Sequence, residues 1–350
     1  MRYFNSLMFV KLFTSLIILL WIRCGNLFGQ DLISIRDSLQ AVMGALPERA
    51  HLPPMNVQYR DSVKRGNYIR YTIRFTVADN EILPAYLYVP VGNSAQAKHA
   101  AMLVLHSTGI SGKGIVDGQS HLPNRAIAKE LAERGYVVIA PDYPGFGELK
   151  DYDFENDRYE SGTMKGIFDH IRCVDLLQSL NSVDPERIGV IGHSLGGHNA
   201  MFVAAFDERL KVVVSSCGWT EFEYYDMGQS AEEIYGGKLG PWAQDKYMPL
   251  LRTKYQLDSN KIPFNFHQII MLIAPRVFIS NSPLQDKNFN VEGVREGIRK
   301  ASAIYESFGV KENLKVYYPD AGHDFPFNIR NEIYESIDRK LCNIPLSKNE

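Results

Sequence analysis

A serine, a histidine and an aspartate in the second half of the chain could together perform nucleophilic catalysis. The serine is Ser194, in the run Gly192-His193-Ser194-Leu195-Gly196. An apolar, β-branched stretch precedes this run and small residues follow it, so the pattern predicts a strand, a sharp turn and a helix. The flanking glycines leave room for a strained backbone at the serine. Such a turn presents the serine oxygen for attack and directs the N–H groups at the helix start towards the group attacked.

A serine hydroxyl needs a base to take its proton, and we expect His323 to be that base. It lies in Asp320-Ala321-Gly322-His323-Asp324-Phe325-Pro326, directly after the last predicted strand. The other histidines fit this role less well. His170 and His198 lie within helical patterns, and His193 lies beside the serine in its turn. His99 precedes a strand, and His106 belongs to another loop.

A carboxylate must orient the base, and Asp286 is the residue that we expect to do so. It follows the preceding predicted strand, and the interval up to His323 holds one helix and one strand. Asp320 and Asp324 are nearer in sequence but would face the histidine awkwardly from its own loop. A structural role for Asp286, as a cap of a turn or helix, is the alternative.

The negatively charged intermediate of acyl transfer also needs N–H donors. The backbone N–H of Leu195, the first after the nucleophile, is one by geometry. The second is expected from the loop His106-Ser107-Thr108-Gly109, where either Ser107 or Thr108 could provide it.

These residues must be positioned by a sheet, and the hydrophobic pattern predicts an α/β fold. Two alternating stretches at 68–75 and 82–89 indicate an antiparallel hairpin at a sheet edge. Beyond them, apolar strands alternate with helices, which predicts a mostly parallel, twisted sheet with helices on both faces. The predicted strands are 101–105, 136–140, 187–192, 210–214, 276–280 and 314–318, and the helices are 124–134, 163–180, the one after Ser194, 291–308 and 327–341.

The domain organisation follows from the same pattern. We expect a secretory signal at 1–29, a lead-in at 30–66 that packs over the core, one hydrolase domain at 67–341 and a tail at 342–350. Residues 219–268, here called the cap segment, interrupt the strand–helix alternation and are predicted to cover the active face. Among its aromatic residues, Trp219, Tyr224 and Trp242 could bind substrate, although such residues more often pack an insertion onto the body.

The N-terminus indicates export. Arg2 and Lys11 precede an apolar run, and small or polar residues follow up to Gly29. An uncleaved anchor is the alternative, but the run is short for a span of about 20 residues. Cys24 could mark a lipoprotein, yet Arg23 before it argues against this. We expect a periplasmic or extracellular protein without stable membrane insertion after signal removal.

Composition excludes several classes of protein. A formal net charge of −2 gives no basic surface for nucleic acid. Three cysteines remain after the signal, too few for a disulfide framework. No CxxC or HExxH motif occurs, so a dedicated metal site has no support, and no cofactor is implied. The oligomeric state stays open.

These motifs resemble the α/β-hydrolase superfamily. The resemblance rests on the order Ser194, Asp286, His323, on the segments 142–147 and 183–197, and on Gly322-His323-Asp324-Phe325-Pro326, and it covers residues 67–341. Within the superfamily the chain is most similar to the dienelactone-hydrolase, prolyl-oligopeptidase-like and acetylxylan-esterase-like branches. This implies a serine hydrolase that works through an acyl-enzyme.

Two departures limit what the resemblance implies. Dienelactone hydrolases use a cysteine nucleophile, so their reaction does not carry over to Ser194. Many relatives have His-Gly after the third strand, where this chain has His106-Ser107.

The leading hypothesis is an exported serine esterase that acts on a small-molecule or polysaccharide ester, with acetyl esters of polysaccharides as one option. A prolyl-oligopeptidase-like peptidase is the nearest alternative, but the roughly 36 residues between the signal and the first strand cannot form a propeller. A binding module that has lost the chemistry is a third reading, and a lyase with the same triad is more distant.

Overall fold

The computed structural model describes residues 32–91 and 98–342. Within these residues nine strands form a single sheet in the order β1-β2-β3-β5-β4-β6-β7-β8-β9. The predicted signal and Cys24 lie outside the described residues, as does nearly all of the predicted tail. The strands are β1 (Gln58–Arg65), β2 (Tyr68–Ala78), β3 (Glu81–Pro90), β4 (His99–Leu105), β5 (Val137–Pro141), β6 (Val183–His193), β7 (Leu210–Ser216), β8 (Val277–Asn281) and β9 (Leu314–Tyr317).

The sheet is mostly parallel, which confirms the predicted fold class. Strands β5, β4, β6, β7, β8 and β9 pair in parallel. Strands β1, β2 and β3 form an antiparallel meander, and β3 joins β5, also antiparallel. The carboxyl ends of the parallel strands therefore meet along one edge of the sheet, where ligand sites collect in folds of this kind.

Helices cover both faces of this sheet because its central strands are apolar on both sides. On one face Met102 and Val104 pack with the helices α2 and α9, and on the other Leu103 and Leu105 pack with most of the remaining helices. The helices are α1 (residues 32–43), α2 (Ile127–Glu133), α3 (Gly162–Ser179), α4 (Leu195–Phe206), α5 (Gln229–Tyr235), α6 (Leu250–Thr253), α7 (Phe266–Ile273), α8 (Val291–Ser307) and α9 (Phe327–Leu341). None of the helices in the described residues is both long and apolar enough to span a membrane.

The lead-in differs from the expectation in one respect. Residues 58–65 form β1 and extend the sheet, rather than only packing over the core. Most side chains of this strand are exposed, and most are polar, so it lacks the alternation that revealed β2 and β3. Helix α1 does pack on the core, through Leu39, Val42 and Met43.

The cap segment lies between β7 and β8 and is composed of short helical turns and loops. Its end belongs to the body of the protein, because α7 begins at Phe266 and packs between α4 and α8. Helix α5, in contrast, buries none of its seven residues and has a glycine with positive φ at each end.

Candidate active site

Ser194 occupies a strained turn between β6 and α4. Its φ of 56° and ψ of −122° lie outside the regions that non-glycine residues favour. The turn is held by the Ser194 N–H, which donates to the carbonyl oxygen of Ser216 over 2.8 Å, and the serine side chain is half-buried. The predicted strand, turn and helix are thus present, with the serine oxygen at the tip.

The turn requires glycine because its two ends nearly touch. A Cβ on Gly192 would lie 2.2 Å from the backbone carbon of Gly196. A Cβ on Gly196 would lie 2.0 Å from the carbonyl oxygen of Leu105, at the end of β4. Both contacts involve backbone atoms, so a side chain at either position would push β6, α4 and β4 apart.

Ser194, His323 and Asp286 come together at the carboxyl ends of β6, β9 and β8. The Nε2 of His323 is 2.9 Å from the Ser194 Oγ. The Nδ1 of the same ring is 3.0 Å from Oδ1 and 2.9 Å from Oδ2 of Asp286. These contacts fit an imidazole whose Nδ1 donates to the carboxylate, so that Nε2 is free to accept the serine proton.

The loops of the acid and the base are fixed from outside the triad. The Asp286 Oδ1 accepts hydrogen bonds from the backbone N–H groups of Asn288 (2.8 Å) and Phe289 (3.2 Å). The Phe289 ring stacks on the imidazole of His323, with the ring centroids 5.9 Å apart. Arg125 donates to the backbone carbonyl of His323 over 3.1 Å and so holds the histidine loop from the other side.

Neither Asp320 nor Asp324 takes the place of the acid. Asp324 points away from the histidine ring and accepts hydrogen bonds from Arg125 and Asn124, each over 2.7 Å. Burial acts to raise the pKa of Asp324, but these two hydrogen bonds hold it below its ordinary value. Asp320 is exposed and accepts a hydrogen bond from Gln285.

His106 fixes the orientation of the loop expected to supply the second N–H donor. The backbone N–H of Tyr143 donates to its Nε2 over 3.0 Å, so Nδ1 carries the ring proton and donates to the carbonyl oxygen of Ser107 over 2.8 Å. Burial lowers the pKa of His106, which keeps the ring neutral. This positioning role was not predicted from the sequence. The one indication in the sequence is that His106 directly precedes Ser107, in the loop expected to supply the donor.

Two further buried histidines lie near the nucleophile, and the ring of one, His193, packs against the ring of His323 with the ring centroids 5.0 Å apart. His193 makes a 2.9 Å hydrogen bond to the Ser216 Oγ, and burial lowers its pKa well below the ordinary value. His198 stacks on Trp242 with the ring centroids 4.1 Å apart, and burial lowers its pKa to about 3. Both rings are therefore neutral near pH 7, and His323 is the histidine that contacts the serine.

A pocket of about 300 Å³ opens above Ser194 and Leu195. Thr108 lines it from the first loop, and the cap segment and the acid loop form its walls. These walls are mostly aromatic or amide-bearing, and none of the described lining residues is charged. The wall residues are Tyr225, Met227, Tyr235, Pro241, Trp242, Gln244, Tyr247, Asn288 and Phe289.

The structure separates the three aromatic residues proposed to bind substrate. Trp242 lines the pocket. Trp219 does not: it is 1% exposed, donates from its indole Nε1 to the Ser280 Oγ and stacks on Phe266 in the core. Tyr224 is 39% exposed on the outer surface of the cap segment and lies against Gly293. Tyr225, Tyr235 and Tyr247, which share the aromatic pattern of this segment, are the tyrosines that reach the pocket.

Cys217, which directly follows β7, lies beside the triad. Its Sγ, a carboxylate oxygen of Asp286 and a ring nitrogen of His323 all lie within 4.8 Å of one another. The residue is buried with a φ of 48°, and its N–H donates to the carbonyl oxygen of Asn281 over 2.8 Å. Burial, and then the Asp286 charge, raise the pKa of this thiol well above its ordinary value, so it is protonated.

Comparison with known proteins identifies relatives in sequence and similar folds among solved structures. YtaP of Bacillus subtilis (strain 168), a protein named as a hydrolase, is 28% identical over 317 residues, which are 87% of this chain and 98% of that protein. Carbohydrate esterase MZ0003, from an unknown prokaryotic organism, is 25% identical over 215 residues, 56% of this chain and 47% of that protein. Among solved structures, a glucuronoyl esterase from Solibacter usitatus shares the fold with a TM-score of 0.66 at 18% identity. The match covers 88% of this chain and 92% of the esterase chain.

The model of the prolyl oligopeptidase family matches residues 124–335. This match confirms the branch that the sequence motifs resemble, and it includes Ser194, Asp286 and His323. Since it spans more than half of the chain, the protein is an α/β hydrolase that belongs to the prolyl oligopeptidase family.

Proposed function

We propose that this protein is a serine hydrolase that cleaves carboxylic esters through a covalent acyl-enzyme. The observation that carries the proposal is the continuous contact from the Ser194 Oγ to His323 Nε2 (2.9 Å) and from His323 Nδ1 to Asp286 (2.9 Å). A nucleophile, a base and an orienting carboxylate in this geometry are what acyl transfer to serine needs.

In the first half of the reaction the Ser194 Oγ attacks the ester carbonyl while His323 Nε2 takes its proton. Asp286 keeps the imidazole in the required tautomer and stabilises the positive charge that develops on it. The tetrahedral intermediate then collapses, and the proton held at Nε2 passes to the leaving alcohol. Water repeats the sequence on the acyl-enzyme, releases the acid and restores Ser194.

The N–H of Thr108 is the best candidate for the second oxyanion donor, alongside that of Leu195. The carbonyl of Ser107 points towards His106, and in a trans peptide the N–H of the next residue points the opposite way. That N–H belongs to Thr108, which lines the pocket together with Ser194 and Leu195. The N–H of Ser107 belongs to the preceding peptide unit, so this orientation favours Thr108 over Ser107.

The substrate that this pocket supports is an uncharged ester. Aromatic side chains can stack on a flat ring, and Gln244 and Asn288 offer amides that can bind hydroxyl groups. An acetylated polysaccharide fits these features, and the names of the carbohydrate esterase relative and the structurally similar glucuronoyl esterase favour an ester of a carbohydrate more generally. Export to the periplasm or beyond belongs to the proposal as well, and rests on the predicted signal at 1–29.

A peptidase is the second candidate, because the family that the chain belongs to is named for oligopeptide cleavage. The triad geometry serves esters and amides alike. The two candidates therefore differ in the substrate that the pocket accepts and in the leaving group that His323 must protonate.

The test compares the wild type with Ser194→Ala. A fluorophosphonate probe should label the wild type once and should not label the variant, and labelling of both at the same level would contradict the nucleophile. Nitrophenyl esters of increasing acyl length, acetylated xylan and aminoacyl nitroanilides then separate the candidates. We expect ester turnover to exceed anilide turnover by at least about a hundredfold. Preferred anilide turnover would favour the peptidase, and a wild type inert to probe and substrates would favour a binding module.

A further inference from the structure

Three side chains with different metal-binding atoms converge on one point beside the triad. The Sγ of Cys217, a carboxylate oxygen of Asp286 and a ring nitrogen of His323 lie within 4.8 Å of one another. They come from the ends of three adjacent strands, β7, β8 and β9, and so form no local sequence motif. The ligand atoms of a tetrahedral zinc site lie about 3.5 Å apart, given bonds of about 2.0–2.3 Å. The widest of the three separations therefore needs to close by at most about 1.3 Å, while the Asp286–His323 pair, at 2.9 Å, needs to open slightly.

We propose that Cys217, Asp286 and His323 form a binding site for a divalent ion of the zinc type, and that the bound ion switches hydrolysis off. The donor set is one sulfur, one nitrogen and one oxygen, which suits Zn²⁺ and Cd²⁺ and does not suit Mg²⁺ or Ca²⁺. The metal-binding half of this proposal is independent of the proposed function, while the inhibitory half rests on it.

Charge balance favours the site despite its burial. Cys217 and Asp286 are 2% and 8% exposed, and an unpaired charge at such positions would be costly. A Zn²⁺ ion carries two positive charges, and the Cys217 thiolate and the Asp286 carboxylate carry one negative charge each. The occupied site is thus neutral, with His323 as a neutral third ligand and a water molecule in the fourth position of the tetrahedron.

The backbone holds these ligands in place before an ion arrives. Cys217 has a left-handed backbone, and its N–H is bound to Asn281 at the end of β8. The Asp286 carboxylate is held by the N–H groups of Asn288 and Phe289. The His323 side chain is 25% exposed, so of the three ligands it is the one in contact with solvent.

Binding would remove the base from the reaction. The ion bonds to Nδ1 of His323, whose proton moves to Nε2, and the Cys217 thiol loses its proton to solvent. One proton is released in total, and no oxidant or reductant takes part. A ring that is bound to metal at Nδ1 and protonated at Nε2 cannot accept the proton of Ser194, so the attack on the ester cannot begin.

Direct binding tests the site without reference to activity. Co²⁺ titrated into Ser194→Ala should produce the near-ultraviolet absorption of a cobalt–thiolate bond at one equivalent per chain, because all three ligands remain. The same titration of Cys217→Ala and Cys217→Ser, made in the Ser194→Ala background, should not produce the band. Cys342→Ser, which changes another described cysteine, should leave the band intact. A band that survives in the Cys217 variants would overturn the site.

Inhibition is measured on the protein with Ser194 intact, each variant against its own activity without metal. Zn²⁺ should inhibit the wild type and Cys342→Ser reversibly, with recovery after EDTA, while Mg²⁺ should have no effect. Loss of one ligand in Cys217→Ser should raise the Zn²⁺ concentration needed for half-inhibition by at least about tenfold. Equal sensitivity of Cys217→Ser and wild type would overturn the inhibitory role. If no substrate is turned over, the proposed function fails, and the cobalt titration still decides the metal site.

Discussion

Gly196 lies against the end of β4 so closely that a Cβ added to it would be 2.0 Å from the carbonyl oxygen of Leu105. Gly196→Ala should therefore displace the start of α4, and with it the Ser194 oxygen and the Leu195 N–H. We expect a loss of about 1–3 kcal/mol in the free energy of unfolding and a large loss of kcat. Urea unfolding and ester turnover measure the two effects. Gly322→Ala, whose nearest neighbour would be the carbonyl oxygen of Gln285 at 4.0 Å, is the matched control. A Gly196 variant as stable and active as this control would contradict the prediction.

Asp286→Asn should lower kcat by about 10³ or more with little change in KM. The asparagine can keep its place in the loop, but it cannot stabilise the imidazolium and favours the wrong tautomer of His323. Asp320→Asn removes the exposed carboxylate of the neighbouring loop and should leave kcat within about twofold of wild type. A large loss in the Asp320 variant together with a small one in the Asp286 variant would show that the acid is misassigned.

His106→Phe should lower kcat by about tenfold to a hundredfold, since the carbonyl of Ser107 loses its donor and the N–H of Thr108 is no longer held towards the pocket. Because the donor is a backbone group, Ser107→Ala and Thr108→Val should each have a much smaller effect. Steady-state kinetics on one nitrophenyl ester compares all three. A Thr108→Val loss as large as that of His106→Phe would indicate a side-chain donor instead.

Trp242 and Tyr224 should differ in their effect on substrate binding. Trp242→Ala and Tyr235→Ala each remove part of the pocket wall and should raise KM for bulky esters by at least about fivefold, an effect of about 1 kcal/mol. Tyr224→Ala, which alters the outer surface of the cap segment, should leave KM unchanged. The Trp219→Ala variant should instead lose about 3–5 kcal/mol of stability, because it empties a core position. Equal KM values for the Trp242, Tyr235 and wild-type proteins would remove these residues from the substrate site.

The buried His198 predicts acid sensitivity. Burial lowers its pKa to about 3, against about 6.5 in an unfolded chain. Between these values the unfolded chain binds a proton that the folded protein does not, so the free energy of unfolding decreases as pH falls below about 6.5, by roughly 1 kcal/mol per pH unit. His198→Phe can keep the stack on Trp242 and should reduce this slope in urea unfolding between pH 7 and pH 4.5. His121→Phe, at an exposed position, is the control, and an equal slope in both variants would contradict the assignment.

Much of the site could be predicted because chain order and strand ends constrain it. The parallel strands are apolar runs, and each run fixes where its following loop lies. The sequence therefore predicts that Ser194, Asp286 and His323 lie at strand ends along the same edge of the sheet. The aromatic residues of the cap segment do not follow predicted strands, so the sequence does not fix their positions in this way. Trp219 and Trp242 are both tryptophans in the same aromatic-rich segment, yet Trp219 lies in the core and Trp242 lines the pocket. The short turns between them have no hydrophobic periodicity from which their positions could be predicted.

Strand β1 is an element that the hydrophobic pattern of the sequence does not reveal. Its sequence is mostly polar, with Tyr59 and Val63 as exceptions, since the strand lies at the edge of the sheet with most of its side chains exposed. Its pairing with β2 comes from backbone hydrogen bonds, which leave no mark on the choice of side chains. The sequence likewise gives no sign that Cys217 lies beside the triad, because its neighbours there follow two other strands.

The attachment of the cap segment separates two tasks along the chain. The three residues of the proposed triad follow β6, β8 and β9, whereas most of the pocket wall comes from the stretch inserted after β7. Sequence changes within that stretch can alter which molecules are accepted and leave the reacting atoms where they are. Homologues that differ mainly between β7 and α7 should therefore catalyse the same reaction on different substrates. Exchanging this stretch between two homologues should transfer the substrate preference of one to the other.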